Sequence, residues 1–157
     1  MGNKNSERHF GYKDHINADV KTKLITKYSV SSAAPHDSTQ IENIVDETDK
    51  TLYADSAYRS KKIEEFLKDK NCKSFICEKG YKNNPLTQEQ KDSNNIKSKI
   101  RARVEHIFGI LTNSMNNALY MRSIGIKRVK SSIGFLNLTY NLFRYEQLVR
   151  LQKVKVM

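Results

Sequence analysis

The chain has 157 residues, 38% of them hydrophobic and 29% charged, which suits one folded domain of ordinary size and excludes a disordered chain. Lysine and arginine total 28 against 17 aspartate and glutamate, for a formal net charge of +11. That excess of positive charge favours a polyanionic partner, nucleic acid first and an anionic membrane surface second, over a merely basic protein.

Cysteine usage and hydropathy exclude several classes. Four residues separate Cys72 from Cys77, and no Cys-rich partner motif occurs elsewhere, which argues against a zinc site and a disulfide framework. The sequence shows neither an apolar run long enough to span a membrane nor a signal-peptide pattern. We therefore expect a cytoplasmic protein with reduced thiols and no membrane partner.

The first nine residues are polar and are expected to form a disordered tail. A β-hairpin is predicted next, since residues 15–20 alternate polar with apolar and residues 24–30 form a β-rich run after a turn. A loop follows, and Asp37 or Ser38 is suited to cap a short helix after it.

In the middle of the chain, two predicted strands enclose a helix. The first strand, residues 51–54, ends at Asp55, and the second covers residues 73–77. Ser60 is the expected N-cap of the helix between them. This alternation predicts a mixed α/β sheet with helices packed on it.

The last part of the chain reads as two helices. After a polar connection at 79–95, a long helix is predicted from Ile96, with an apolar stripe that runs to Leu111. A break is expected near Gly125. The final helix, at about 132–151, is apolar on most sides and is expected to be buried. The predicted organisation is a tail at 1–9, one domain at 10–151 and a tail at 152–157.

Two carboxylates occupy positions suited to chemistry. Asp55 stands at a strand end, where α/β proteins bind ligands, although strand-end aspartates also often cap turns. Glu105 lies off the apolar stripe of the long helix, with Arg101 one turn before it. In one interpretation Glu105 and Arg101 form an exposed ion pair. In the other, Glu105 is a functional carboxylate, and Arg101 either holds it in place or contacts phosphate.

Magnesium would explain why such carboxylates are brought together. It takes oxygen ligands, usually one or two carboxylates together with water and substrate phosphate. Two such ions can clamp the attacking and leaving oxygens of a phosphoryl displacement, and they need about three carboxylates to balance their charge.

Four segments then occur in the order that transposases of the DDE class show: HFGYKDH at 9–15, PHDS at 35–38, YADSAYR at 53–59 and RARVEHIFG at 101–109. Over roughly residues 8–150 the chain resembles the C-terminal portion of such a bacterial insertion-sequence transposase. The resemblance implies an α/β, ribonuclease-H-like mixed sheet with flanking helices. It also implies metal-dependent DNA cleavage and strand transfer, with Asp55 and Glu105 as catalytic ligands of Mg²⁺ or Mn²⁺. The expected DNA contacts are made by Arg59, Arg101 and Arg103.

The sequence also departs from this family. Ser98 and Thr112 stand where the family's Tyr–Arg–Glu–Lys helix pattern has tyrosine and lysine, which puts the DNA contacts of that helix in question. In this family the first catalytic aspartate lies on a strand before the hairpin, and that strand is expected to be missing because the chain begins almost at the hairpin. The motifs place Asp14 and Asp19 on the hairpin itself, so neither is assigned to the first position. We therefore expect weak metal binding and a fragment that is inactive alone.

Three functional hypotheses remain open. The chain is a transposase of transposon-end DNA, a non-catalytic DNA-binding remnant or regulator, or an unrelated nucleic-acid-binding domain, for which no helix-turn-helix or aromatic RNA-binding motif is present. The expected partners are DNA and either a second copy or a complementing N-terminal transposase fragment. An unpaired sheet edge is expected to promote association.

Overall fold

The computed structural model describes residues 2–4, 7–9, 11–115 and 124–151. The chain divides into two compact units where one domain was expected. Unit 1 comprises Met1–Pro35 and Val104–Met157, and unit 2 comprises His36–Arg103. Each unit has its own buried apolar cluster, so each is described by itself.

In the part of unit 1 that the structure describes, four strands form two antiparallel pairs. Within the segment expected to be a loose tail, β1 (Gly2–Lys4) pairs with β2 (Glu7–His9). The predicted hairpin is confirmed as β3 (Tyr12–Ala18) paired with β4 (Ile25–Ser32). At its turn, the Asp19 carboxylate accepts hydrogen bonds from the backbone N–H groups of Lys21 and Thr22, which is typical of an Asx turn.

The long helix α3 (Gln88–Gly109) begins about two turns before Ile96, the predicted start. Its beginning is a capping box: Gln90 N–H donates to the Thr87 hydroxyl, and Thr87 N–H donates to the Gln90 side chain. Ile96 is 64% exposed and therefore does not belong to the buried stripe, whereas Ile107 is fully buried. A π-helical turn, Ile110–Ser114, follows α3.

The final helix, α4 (Ile126–Arg150), begins earlier than predicted, directly after Gly125 with its φ of 99°. The prediction of a break near Gly125 is confirmed at that residue, and residues 116–123 lie outside the described part. α4 packs closely on β4, because a Cβ at Gly134 would lie 2.5 Å from the Tyr28 hydroxyl. The predicted burial of α4 is wrong for one face, where Phe135 is 72% exposed and Leu142 is 62% exposed.

Unit 2 contains the short helix α1 (Ile41–Ile44) and is built around a βαβ crossover. β5 (Thr51–Leu52) and β6 (Lys73–Ser74) pair in parallel, with α2 (Lys61–Asp69) between them in sequence. The ladder continues past both strands, since Cys77 N–H donates to the Ala54 carbonyl at 3.1 Å. The predicted cap of α2 is confirmed, because the Ser60 hydroxyl accepts the N–H of Ile63. The core residues are Ile41, Val45, Ile63, Leu67, Cys72 and Ile76.

The mixed α/β class is confirmed. In the described residues the strands form three two-stranded sheets and not one continuous sheet, so the ribonuclease-H-like sheet stays a prediction. No helix of the described residues combines the length and apolar character that crossing a membrane requires.

Candidate active site at the end of β5

Asp55 follows β5 and caps the 3-10 turn Ser56–Tyr58. Its Oδ1 accepts the backbone N–H of Ser56 at 2.6 Å, and its carbonyl accepts that of Tyr58 at 3.0 Å. The side chain remains half exposed. The two roles that the sequence left open therefore coexist: Asp55 caps a turn and also presents a carboxylate at the carboxyl end of a strand.

Arg101 on α3 is the cationic partner of Asp55. Its Nη1 lies 2.9 Å from Asp55 Oδ2, and the arginine side chain is mostly buried. A hydrogen bond between two charged groups is stronger than a neutral one, and partial burial reduces its screening by water. Since Oδ1 is held by Ser56, both carboxylate oxygens of Asp55 have a donor.

Tyr58 and Asp37 lie in the electrostatic field of the same site. Burial raises the pKa of the Tyr58 hydroxyl, the charges of Asp37 and Asp55 raise it further, and Arg101 opposes them. Asp37 begins the 3-10 turn Asp37–Gln40, whose cap is His36, so the prediction that Asp37 or Ser38 is the cap is wrong. The imidazole of His36 accepts the N–H of Ser38, and this contact leaves the Asp37 carboxylate out of the cap.

From sequence, Asp37 was interpreted as a capping residue, and its position near Tyr58 was not predicted. The signal was present in the sequence, because Pro35-His36-Asp37-Ser38 is one of the four segments shared with the transposase pattern. The proximity of Asp37 to Tyr58 could not be predicted from either segment alone, because it depends on how two turns of unit 2 pack.

The other predicted DNA-binding arginines differ in their surroundings. Arg59 forms an ion pair of 2.7 Å with Glu78 and also donates to the Ile76 carbonyl at 3.3 Å. Lys97 Nζ on α3 reaches the same carbonyl at 3.1 Å. Arg59 therefore ties the turn after Asp55 to the segment after β6, whereas Arg103 lies on α3 as an exposed residue.

Glu105 is an exposed residue on α3, one helical turn after Arg101, and it belongs to unit 1. Asp55 and Arg101 both belong to unit 2. The structure therefore brings Asp55 together with Arg101, while the sharing of one site by Asp55 and Glu105 stays a prediction. Thr112, at the position of the family's lysine, donates its hydroxyl to the Phe108 carbonyl and so bonds within its own helix.

The sequence-family model of the transposase DDE domain matches residues 1–142 of the chain. The chain belongs to the transposase DDE domain family. No solved structure matches the chain. The general function of this family is transposition, which involves DNA and divalent metal ions.

The residues of this transposase chain fit a divalent metal only in part. The carboxylate of Asp55 has the oxygen chemistry that Mg²⁺ prefers, but Ser56 and Arg101 already bind its two oxygens. Within the described ranges, no group of three His, Cys, Asp or Glu side chains is placed to hold a metal ion. These side chains alone do not form a two-metal site.

Proposed function

We propose that this chain acts in DNA transposition by cutting and joining phosphodiester bonds at transposon ends. In this proposal Asp55 and Glu105 are the acidic residues of the reaction, and Mg²⁺ or Mn²⁺ is the cofactor. The observation that carries the proposal is the family match over residues 1–142, which includes both carboxylates and the arginines beside them.

Arg101 has a specific part in the proposal. Its guanidinium holds Asp55 Oδ2 in the free protein, and guanidinium is also the side-chain group best suited to bind a phosphate through paired hydrogen bonds. A bound DNA phosphate would compete with Asp55 for Arg101. Arg59 and Arg103 are proposed to add phosphate contacts on either side of it in the sequence.

A second candidate function is a DNA-binding regulator of transposition without catalysis. The contact between Arg101 and Asp55 favours it, because the guanidinium occupies the side of the carboxylate that a metal would need. The lack of a three-ligand group in the described residues favours it as well, since two carboxylates hold a metal pair poorly. A second copy or a complementing transposase fragment that supplies a further carboxylate would restore the first function.

The two candidates separate in a cleavage assay on labelled transposon-end duplex with Mg²⁺. The proposal predicts that Asp55→Asn and Glu105→Gln each abolish any Mg²⁺-dependent cleavage, alone or with an added partner. DNA binding without cleavage under either condition supports the regulator. Cleavage that survives both substitutions contradicts the assignment of these residues, and Glu89→Gln, elsewhere on α3, is the matched control.

A further inference from the structure

Tyr81 is an exposed aromatic residue on a tight turn of unit 2. It is 64% exposed, and it exchanges two backbone hydrogen bonds of 3.0 Å with Asn84, so that Lys82 and Asn83 form the tip. The Lys79 ammonium lies 5.7 Å from the centre of the Tyr81 ring, within the range of a cation–π contact. From the sequence alone, this region is a polar, Lys- and Asn-rich connection suited to contact phosphate.

The turn is anchored at both ends. Before it, Glu78 N–H donates to the Asn94 side chain at 2.8 Å, and the Asn94 amide donates to the Glu78 carbonyl at 3.0 Å. After it, the capping box of Thr87 and Gln90 starts α3. Gly80 lets the turn approach Leu86, whose Cγ would lie 3.2 Å from an added Cβ. Tyr81 therefore lies on an ordered turn, so binding a partner there costs little conformational entropy of this segment.

A cavity of about 530 Å³ lies beside Tyr81. Three cationic side chains line it, together with the ring itself: Arg59, Lys61, Lys79 and Tyr81. Three carboxylates line it as well: Glu64, Glu65 and Glu78. Two of these carboxylates are engaged, Glu78 with Arg59 and Glu64 with the Ser74 hydroxyl.

This combination of an aromatic ring, cations and carboxylates is better suited to bind one nucleotide than to bind several consecutive backbone phosphates. An aromatic ring offers a stacking surface to any unpaired base, and neighbouring cations can bind the backbone phosphate. Carboxylates repel phosphate but accept hydrogen bonds from the amino group of a base such as cytosine. A base inside a duplex is stacked on both faces by its neighbours and has its amino group paired, so the base that binds here has to be unstacked and unpaired.

We infer that Tyr81 and the cavity beside it bind an unpaired, amino-bearing nucleotide of the DNA, with the base stacked on the Tyr81 ring. This inference rests on the proposed function, since it requires DNA as the partner. It adds a site whose lining includes neither Asp55 nor Glu105 and that distinguishes distorted DNA from paired duplex.

The test measures the affinity of the full chain for DNA by fluorescence anisotropy at fixed salt. It compares a duplex with the same duplex carrying a bulge of three unpaired deoxycytidines. The wild-type chain should prefer the bulged DNA by about 10-fold, within the range known for one stacked base. Tyr81→Ala should lose this preference and keep the duplex affinity, Tyr81→Phe should retain it, and Lys79→Ala should weaken it. A bulge of three deoxythymidines, whose bases lack the amino group, should bind less tightly than the bulge of three deoxycytidines.

Ile96→Ala, which removes another side chain that is 64% exposed, is the matched control and should behave as the wild type. Equal binding of bulged and paired DNA by the wild-type chain overturns the inference alone, as does a preference that survives Tyr81→Ala. Failure of the wild-type chain to bind either DNA overturns the proposed function and the inference together.

Discussion

Asp14 and Asn137 form an unsatisfied polar pair inside unit 1. Both oxygens of Asp14 on β3 and both amide atoms of Asn137 on α4 are buried without a hydrogen-bond partner. Burial raises the pKa of Asp14 to about 6, and the nearby Asn137 amide opposes that shift in part, although their contact falls short of hydrogen-bond geometry. A buried carboxylate in such surroundings is a cost to the fold.

Replacing Asp14 with asparagine should stabilise the protein above pH 6. The pKa of Asp14 is higher in the folded chain than in the unfolded chain, so its ionisation opposes folding as the pH rises from about 4 to about 6. Urea unfolding at pH 7.5 should give Asp14→Asn a free energy of unfolding about 3 kcal/mol above the wild type, as an order of magnitude. At pH 4.5 the difference should shrink to about one-third. A gain that does not change with pH would contradict this account.

Asp55 shows how far a single residue could be placed from sequence. Its position after a strand followed from local pattern, and the structure has it there. Its partner Arg101 was expected either to support Glu105 or to contact phosphate. The ion pair with Asp55 could not be anticipated, because it joins residues that are distant in sequence and depends on how α3 packs on the βαβ unit.

At the scale of elements, α4 holds the turn of the hairpin through its side chains. The Asn141 amide donates to the Ile25 carbonyl and accepts the Ile25 N–H, both at 2.8 Å. The Tyr140 hydroxyl donates to the Lys23 carbonyl at 2.9 Å, and Arg144 donates to the Thr22 carbonyl at 2.7 Å. These contacts satisfy backbone groups of Ile25 and of the hairpin turn and fix the hairpin against the helix.

Asn141→Ala should therefore destabilise unit 1. The substitution leaves the buried Ile25 with both backbone groups unpaired, and such a loss costs about 2 kcal/mol. Thermal unfolding should show the loss as a lower melting temperature. Thr139→Ala on the same helix is the control, because the Thr139 hydroxyl bonds only within α4 and the change should be small. Equal effects of the two variants would refute the role of Asn141.

Elements with clear local signals were predicted well, and those that depend on packing were not. The hydroxyl of Ser60 and the alternation in the hairpin identified α2 and the β3–β4 pair. The start of α3 was missed because its first two turns are polar and show no apolar stripe. The exposed face of α4 was missed because apolar composition predicts burial without saying what covers it.

At the scale of the whole molecule, the net charge of +11 leads to a prediction about DNA binding. A protein that neutralises phosphates releases counterions, so its affinity falls steeply with salt. For about six phosphate contacts, the affinity for duplex DNA should fall roughly 1,000-fold between 50 and 200 mM salt. Fluorescence anisotropy over that range measures the slope, and an affinity that is independent of salt would refute an electrostatic interface.

The exposed face of α4 predicts self-association. Phe135, Leu138, Leu142 and Tyr145 follow one another at intervals of three and four residues, the spacing with which two helices pack along a seam, and each is exposed. Sedimentation should show a dimer of the isolated chain that Leu138→Lys with Leu142→Lys converts to a monomer. Ser131→Lys, a control elsewhere on α4, should leave the dimer intact. A wild-type chain that stays monomeric at high concentration contradicts the prediction.

At this scale the domain boundaries stay a prediction, whereas the family could be predicted. One domain at 10–151 was expected because length and composition suit one, and the chain divides into two compact units. The family was identified correctly from four short segments, and the match over residues 1–142 confirms it. Inactivity of the chain alone stays a prediction, because catalysis depends on metal ligands that local sequence does not bring together.

The assignment of Asp55 and Glu105 as metal ligands is tested most directly by mapping the metal on the protein. In the presence of transposon-end DNA, Fe²⁺ with ascorbate would replace Mg²⁺ and cut the chain beside its ligands through locally formed radicals. The account predicts cuts near both residue 55 and residue 105, suppressed by excess Mg²⁺ and lost in Asp55→Asn with Glu105→Gln. Cuts elsewhere, or cuts near these residues that persist in the double variant, would contradict it.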